Sequence, residues 1–265
     1  MRVFLAGAIS AHLVGLLKGA GHRVGGRDPG LFAGCGWEPM PEPDREIIGD
    51  VRSLTARELD GFDCVMHPAA ISNDPMGDLD PGITHAVDAR GSTALARAAK
   101  AAGAPRFLLS SSCSIYGRAE GRPLAAEDEL NPVLVRAQSK IAAENGLAPP
   151  ADRDFSPGYL RNPTAFGHCR RCALTWWLTT SSAAPSPKGE IRIMSDRTPW
   201  RRLIHCKDIA RAFVAFLKAP QATIHNQRVN VGGDAKNYRS PTLPRSSNAW
   251  CREPMSSTWR GRQGP

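Results

Sequence analysis

A serine-rich run, Ser110-Ser111-Ser112-Cys113-Ser114-Ile115-Tyr116-Gly117, is followed further along the chain by Arg136-Ala137-Gln138-Ser139-Lys140. Hydroxyls at the end of an apolar strand can hydrogen-bond a reacting oxygen, and a lysine beside them adds a charged hydrogen-bond donor. Positions 136 and 140 have the i, i+4 spacing that puts both side chains on one face of a helix. The chemistry open to position 136 is restricted. A guanidinium stays protonated at any working pH, so Arg136 donates hydrogen bonds and cannot take up a proton.

A second constellation lies at the start of the chain. Arg2–Gly7 is a short apolar run suited to a buried strand, and Ala6-Gly7-Ala8-Ile9-Ser10 follows, where a helix should begin. A glycine at such a turn lets backbone approach a pyrophosphate, which then sits on the helix N-terminus. Asp28 comes 21 residues after Gly7, at the end of the next apolar run, His22–Arg27. A carboxylate there can accept hydrogen bonds from an adenosine ribose, which favours NAD, and the adjacent Arg27 leaves NADP open. A plain turn aspartate before Pro29 is the competing reading.

The elements that would position these residues alternate in type. Ala11–Ala20 is helical, with Leu13, Leu16 and Leu17 expected on one buried face. Cys64–Ala69 is a further strand, Thr84–Ala102 an alanine-rich helix closed by Gly103, Phe107–Ser111 a strand, and Ala137–Glu144 the start of a helix. Gly158–Asn162, Ile191–Met194, Arg202–His205 and Arg228–Gly232 read as strands, and Ile209–Leu217 as a helix. This alternation predicts an α/β fold, a Rossmann-like doubly wound parallel sheet that binds ligands at the carboxyl ends of its strands. The expected division is a dinucleotide-binding domain over 1–166 and a small, partly degraded substrate subdomain over 167–265, with 202–233 returning strands and a helix to the core.

The set resembles the extended short-chain dehydrogenase/reductases, the NAD-dependent nucleotide-sugar epimerase/dehydratase family, over about residues 1–167 and 188–238. That family carries a Ser/Thr and then Tyr-x-x-x-Lys, and here Arg136 holds the tyrosine position. Its other carriers are Gly7 before His12-Leu13-Val14, Asp50-Val51, Met66-His67-Pro68-Ala69-Ala70, the loop from Ser72 to Pro81, Leu160-Arg161-Asn162, the segment from Arg201 to Ala210, and Val229-Asn230-Val231-Gly232-Gly233. The resemblance implies that a tyrosinate removes a sugar hydroxyl proton while hydride passes to nicotinamide. The lysine lowers the tyrosine pKa and holds the nicotinamide ribose, and the serine hydrogen-bonds the reacting oxygen.

Carried over, Ser112 and Lys140 are the catalytic residues, with Arg136 at the position of the base. Gly7, Ile9, Asp28, Asp50, Val51, Ala69, Ala70 and Lys140 would hold NAD, and Asn162 and Arg201 would lie near the phosphates of a nucleotide-sugar substrate. The departures are a shortened glycine loop with Ser10 at its third glycine, Pro68, which removes an N–H from the strand end, and Asp88, where the family has asparagine. The expected protein is therefore an epimerase/dehydratase-like chain impaired at the proton-transfer step. The alternative is a non-catalytic NAD(P)-binding module that acts as a sensor or partner-binding protein. The resemblance also implies pairing of two copies through the helices around the Tyr-x-x-x-Lys segment.

Bulk properties exclude several other classes. The net charge of +9 comes from scattered arginines without a Lys/Arg stripe interleaved with aromatics, which argues against nucleic acid. The seven cysteines are odd in number and irregularly spaced, as suits a reducing cytoplasm rather than a disulfide framework. His168-Cys169-Arg170-Arg171-Cys172 lacks a second Cys/His pair at zinc-finger distance, so no metal is expected. His12 and Lys18 interrupt the apolar N-terminus, and no run reaches membrane-spanning length.

Two tracts fit no pattern, 168–187 and 239–265. Back-translated with GC-rich codons and read one frame over, the stretch from Ser240 becomes PDLAEIVERVVPGADVEYVAG, and Ala173–Pro187 becomes VDLVVDNLVGCAVT. Both have amphipathic helical spacing. A frameshift would also explain basicity, since Arg239–Pro265 carries five Arg against Glu253. On this hypothesis, resequencing the coding DNA returns codons that yield these segments in the second frame. Codons that do not yield them would sink it.

Overall fold

Alternation along the first strand sets the layering. In the computed structural model, which describes residues 1–7, 10–31, 41–71, 74–117, 124–166, 200–233 and 237–239, strand β1 (Arg2–Ala6) is buried from Val3 onward. Successive side chains of a strand point to opposite faces. Val3 and Leu5 therefore enter one core with Leu13 and Leu17 of α1 (Ser10–Gly19), while Phe4 and Ala6 enter the other. β1 runs between β2 (Arg23–Asp28) and β4 (Cys64–His67), parallel to both. The full sheet has the order β3-β2-β1-β4-β5-β6-β9, with β3 (Arg45–Ile48), β5 (Arg106–Ser112), β6 (Ser156–Asn162) and β9 (Gln227–Asn230), every neighbouring pair parallel. This is the doubly wound α/β sheet expected from the alternation, and its strand order reverses between β1 and β4.

The two faces are covered by different helices. On one, α1 packs with α6 (Cys206–Lys218), which buries Ile209, Phe213 and Leu217 against Leu108 and Leu160. On the other, α4 (Ser92–Ala101) and α5 (Val135–Leu147) cover Phe107, Leu109 and Tyr159. A smaller sheet of three strands holds β7 (Thr164–Phe166), β8 (Trp200–His205) and β10 (Asn237–Arg239), in the order β10-β8-β7. No described helix is long and apolar enough to cross a membrane.

Several expectations need correction. Leu16 is 38% exposed, and Val14 takes the buried place beside Leu13 and Leu17, because the buried arc of α1 runs from 13 through 17 to 14 and leaves 16 outside its far edge. β4 ends at His67 rather than Ala69, since Pro68 has no N–H to continue the ladder. The Thr84–Ala102 helix is three pieces: α3 (Pro81–Thr84), a π-helical turn (His85–Gly91) and α4. The extra residue in that turn swings Asp88 into the interior, where it is fully buried. β3 was not anticipated. It is an edge strand with mostly exposed side chains, so it carries no apolar run. The strand expected over Ile191–Met194 and the two aperiodic tracts lie outside the described residues, Arg239 apart.

One ion-paired hub ties the sheet to α5. Glu144 and Arg161, each with a side chain 2% exposed, meet at 2.7 Å between α5 and β6. Glu144 also accepts from Ser111 of β5 (2.6 Å) and from Arg228 of β9 (3.2 Å). Arg161 further donates to the Tyr116 hydroxyl (2.7 Å), which in turn donates to Asn230 of β9 (2.7 Å). A buried pair of this kind contributes little net stability while intact, but removing one partner strands the other. Glu144→Ala is therefore expected to lower unfolding free energy by roughly 3–5 kcal/mol, measured by urea denaturation. A loss within about 0.5 kcal/mol, the range of ordinary surface changes, would count against the hub.

Candidate active site

The serine run closes β5 and its side chains divide. Ser111 points to Glu144, while Ser110 accepts from Asn162 Nδ2 (2.9 Å) at the end of β6. Ser112 caps the short 3-10 turn Cys113–Tyr116 and accepts from the Ser114 N–H (3.2 Å). Arg136, in the first turn of α5, directs Nη1 at Ser112 Oγ at 3.4 Å, the long limit of a hydrogen bond. The structure thus brings Ser112 and Arg136 together across 24 residues of sequence.

Lys140 lies one turn further along α5 and is 3% exposed. Its Nζ has no hydrogen-bond partner among the described residues, and neither does Asn162 Oδ1. Burial pushes the Lys140 ammonium pKa below the ordinary lysine range. The Asp88 carboxylate opposes that shift and Arg136 reinforces it. Asp88 is fixed from both sides: Oδ1 accepts the Ile71 N–H (2.8 Å) and Oδ2 accepts from Ser139 (3.3 Å). His67, at the end of β4, is wholly buried and hydrogen-bonds Ser92 Oγ through Nε2 (2.9 Å). Burial, followed by the charge of Lys140, lowers its pKa to about 3, so it stays neutral.

The strand ends at the switch point converge. Ala69 donates its N–H to Ala6 C=O at 2.8 Å, so Pro68 does not displace this strand end. Gly7 has φ +119°, and a Cβ on it would come within 2.4 Å of Ala69 Cα. Only glycine fits there. Ala69 and Ala70 are half-buried beside it. Asp28 ends β2, largely buried, and accepts the Gly30 N–H at 2.8 Å. Arg27 is engaged by Glu58 and by Ser53 Oγ (2.7 Å). Asp50 caps the turn Val51–Ser53 and pairs with Arg52 at 2.6 Å, a hydrogen bond that holds its carboxyl below the usual range. Val51 packs against the second core.

Ser112, Arg136, Lys140 and Asn162 thus gather at the carboxyl ends of β5 and β6, with Gly7, Ala69 and Ala70 at the switch point and Asp28 and Asp50 beyond it. Arg201 is on β8, opposite Tyr238 of β10. Ile9 and the His168–Cys172 segment lie outside the described residues. Glu144, Arg161 and His67 have roles that were not assigned from the sequence. Glu144 repeats the i, i+4 spacing after Lys140, which was the available signal.

Neither Tyr116 nor Tyr159 replaces the missing base. The Tyr116 hydroxyl is held by Arg161 and Asn230, and burial raises its pKa. Tyr159, on β6, donates to Asn226 (2.9 Å), and its pKa is also raised by burial.

The sequence matches the model of the NAD dependent epimerase/dehydratase family over residues 5–232. The chain belongs to this family. No curated protein sequence matches it. Among solved structures it is similar to MoeE5 in complex with UDP-glucuronic acid and NAD, at 25% identity and a TM-score of 0.75, covering 90% of this chain and 78% of that one. It is also similar to TunA, an NAD-dependent NDP-hexosamine 5,6-dehydratase of tunicamycin biosynthesis (22% identity, TM-score 0.76, 90% and 77% covered). A third is the UDP-N-acetylglucosamine 4-epimerase of Methanobrevibacter ruminantium M1 (22%, TM-score 0.77, 90% and 78% covered). The last two likenesses concern the fold alone.

Lys140 stands in this family member as a buried side chain whose Nζ has no hydrogen-bond partner among the described residues. Ligand-free Lys140→Met is expected to be more stable than wild type near neutral pH, by roughly 1–3 kcal/mol. The lysine pKa is depressed on folding, so the unfolded chain binds the extra proton between the folded value and 10.5. Wild-type stability therefore rises with pH across that window, and the gap to the variant should close. The gain should be larger in an Asp88→Asn background, where the opposing carboxylate is gone. Urea denaturation at several pH values measures all three, and a destabilised Lys140→Met would refute this account.

Proposed function

We propose that this chain binds NAD and a nucleotide sugar in the manner of an epimerase/dehydratase, but is impaired in hydride-transfer turnover because no base stands at position 136. The observation that carries the reading is the contact of Arg136 with Ser112 on the helix face shared with Lys140. Ser112 and Lys140 keep the catalytic roles of hydroxyl donor and ribose holder, while a permanent cation takes the place of the proton acceptor.

The residues present suit the cofactor. An orphaned, buried Lys140 Nζ is a donor awaiting an acceptor. Gly7 leaves its turn without a side chain, and Asp28 offers a carboxylate at the end of β2. Gly7, Ile9, Asp28, Asp50, Val51, Ala69, Ala70 and Lys140 would hold NAD, which when bound supplies a reversible hydride acceptor. Preference for NAD over NADP follows from charge: Asp28 repels a 2′-phosphate, and Arg27 is already committed to Glu58 and Ser53. Asn162, with its unpartnered Oδ1, and Arg201 are proposed to face the substrate. The similarity to MoeE5, solved in complex with NAD and either UDP-glucuronic acid or UDP-glucose, supports this ligand class. We assign 1–166 to cofactor binding and 167–265 to the substrate subdomain, with 202–233 serving both, and propose a soluble cytoplasmic protein that pairs as a homodimer.

The same donor-only site favours a second reading, a non-catalytic NAD(P)-binding module that acts as a sensor or partner-binding protein. Calorimetric titration with NAD and NADP, together with turnover of a UDP-sugar panel, separates the two. NAD should bind more tightly than NADP, and Arg136→Tyr should raise turnover about 10²-fold or more over wild type. NAD binding with no gain in Arg136→Tyr would favour the module. Ordinary turnover by wild type would overturn the proposed impairment.

A further inference from the structure

The hydroxyls at the end of β5 are not equally free to act. A serine hydroxyl has one proton to donate and two lone pairs with which to accept. Ser111 gives its proton to Glu144 at 2.6 Å. Ser112 Oγ receives the Ser114 N–H at 3.2 Å and Arg136 Nη1 at 3.4 Å, and these two donors fill its lone pairs. Its third contact is with Ser114 Oγ at 2.9 Å, where on distance alone either oxygen could be the donor. Ser112 has no lone pair left, so its own proton goes to Ser114 Oγ. Ser114 thereby keeps its proton, which has no acceptor among the described residues.

The residue at position 136 sets this direction. A group able to accept would draw the Ser112 proton toward α5, whereas a guanidinium only donates. The result is a one-way chain that starts at a cation and runs from Arg136 to Ser112 to Ser114. A hydroxyl that accepts a hydrogen bond becomes a stronger donor in turn, so the far end of such a chain is its most polarised proton. Exposure favours the same end. Ser112 is 9% exposed, while Ser114 is half-buried in a turn whose Ile115 and Tyr116 are buried.

We propose that Ser114 is the hydroxyl that donates to the reacting oxygen of the sugar. This rests on the nucleotide-sugar reading above and adds a substrate-contacting residue to it. Ser112 remains a donor, but it acts through Ser114 and is a positioning residue. Arg136 orients the pair without needing to touch the sugar.

The test is calorimetric titration of the full-length chain, saturated with NAD, with UDP and with UDP-glucose. Ser114→Ala removes the hydroxyl and leaves the 114 N–H in place to hold Ser112. It should weaken UDP-glucose binding roughly 3- to 10-fold, the worth of one hydrogen bond, and leave UDP affinity unchanged. Ser114→Thr, which restores a hydroxyl, should recover most of the loss. Ser112→Ala should cost less than Ser114→Ala, because Ser114 still has its proton to offer. Thermal melts of the three variants report that they fold. Unchanged UDP-glucose affinity in Ser114→Ala, with UDP still bound, would overturn the Ser114 inference alone. So would a larger loss in folded Ser112→Ala than in Ser114→Ala, since Ser112 would then be the direct donor. Failure of both ligands to bind wild type would overturn the nucleotide-sugar reading itself.

Discussion

The Glu144 carboxylate is the point on which the site geometry depends. It sits on α5 one turn beyond Lys140 and reaches three strands of the sheet at once, through Ser111, Arg161 and Arg228. An uncompensated buried carboxylate is costly, so helix and strands cannot slide apart without exposing that cost. The register that satisfies Glu144 also sets where the preceding turn of α5 falls. Arg136 consequently meets Ser112, and Lys140 is held beneath the surface. From the opposite side, Ser139 and the π-helical turn with Asp88 hold the same helix.

Against this rigid support, the reactive positions are unusual for what they lack. Two cations and a hydroxyl converge with no tyrosine at position 136, and Tyr116 and Tyr159 are tied into structural hydrogen bonds at raised pKa. The scaffold expected of a family member persists around them: the strand order, the convergence of Gly7 on Ala69, and the carboxylate at the end of β2. Arg136 stands within this frame without disturbing it.

Much of the frame was legible in the sequence. Apolar runs such as Val3–Ala6 and Phe107–Leu109 mark strands buried on both faces, and Ile209, Phe213 and Leu217 mark a helix stripe, because burial imposes its period on residue type. β3 was not legible, since an edge strand leaves its side chains in water and no period is selected. The π-helical turn was not legible either. Its extra residue depends on what Asp88 finds inside the protein, not on local propensity. Leu16 was misplaced because the i, i+3, i+4 pattern of the leucines fits one face, whereas packing turned the buried arc toward Val14.

By itself the sequence determined the parallel α/β class, the candidate Ser112 and Lys140, and the absence of a proton acceptor at position 136, because each follows from residue identity and local period. Tertiary structure decided the rest. The Glu144–Arg161 pair, the commitment of Arg27 to Glu58, and the isolation of Lys140 Nζ depend on groups far apart in sequence. Whether a charge is answered, and by what, is a property of the space around it. That space forms only when the strands and helices close upon it.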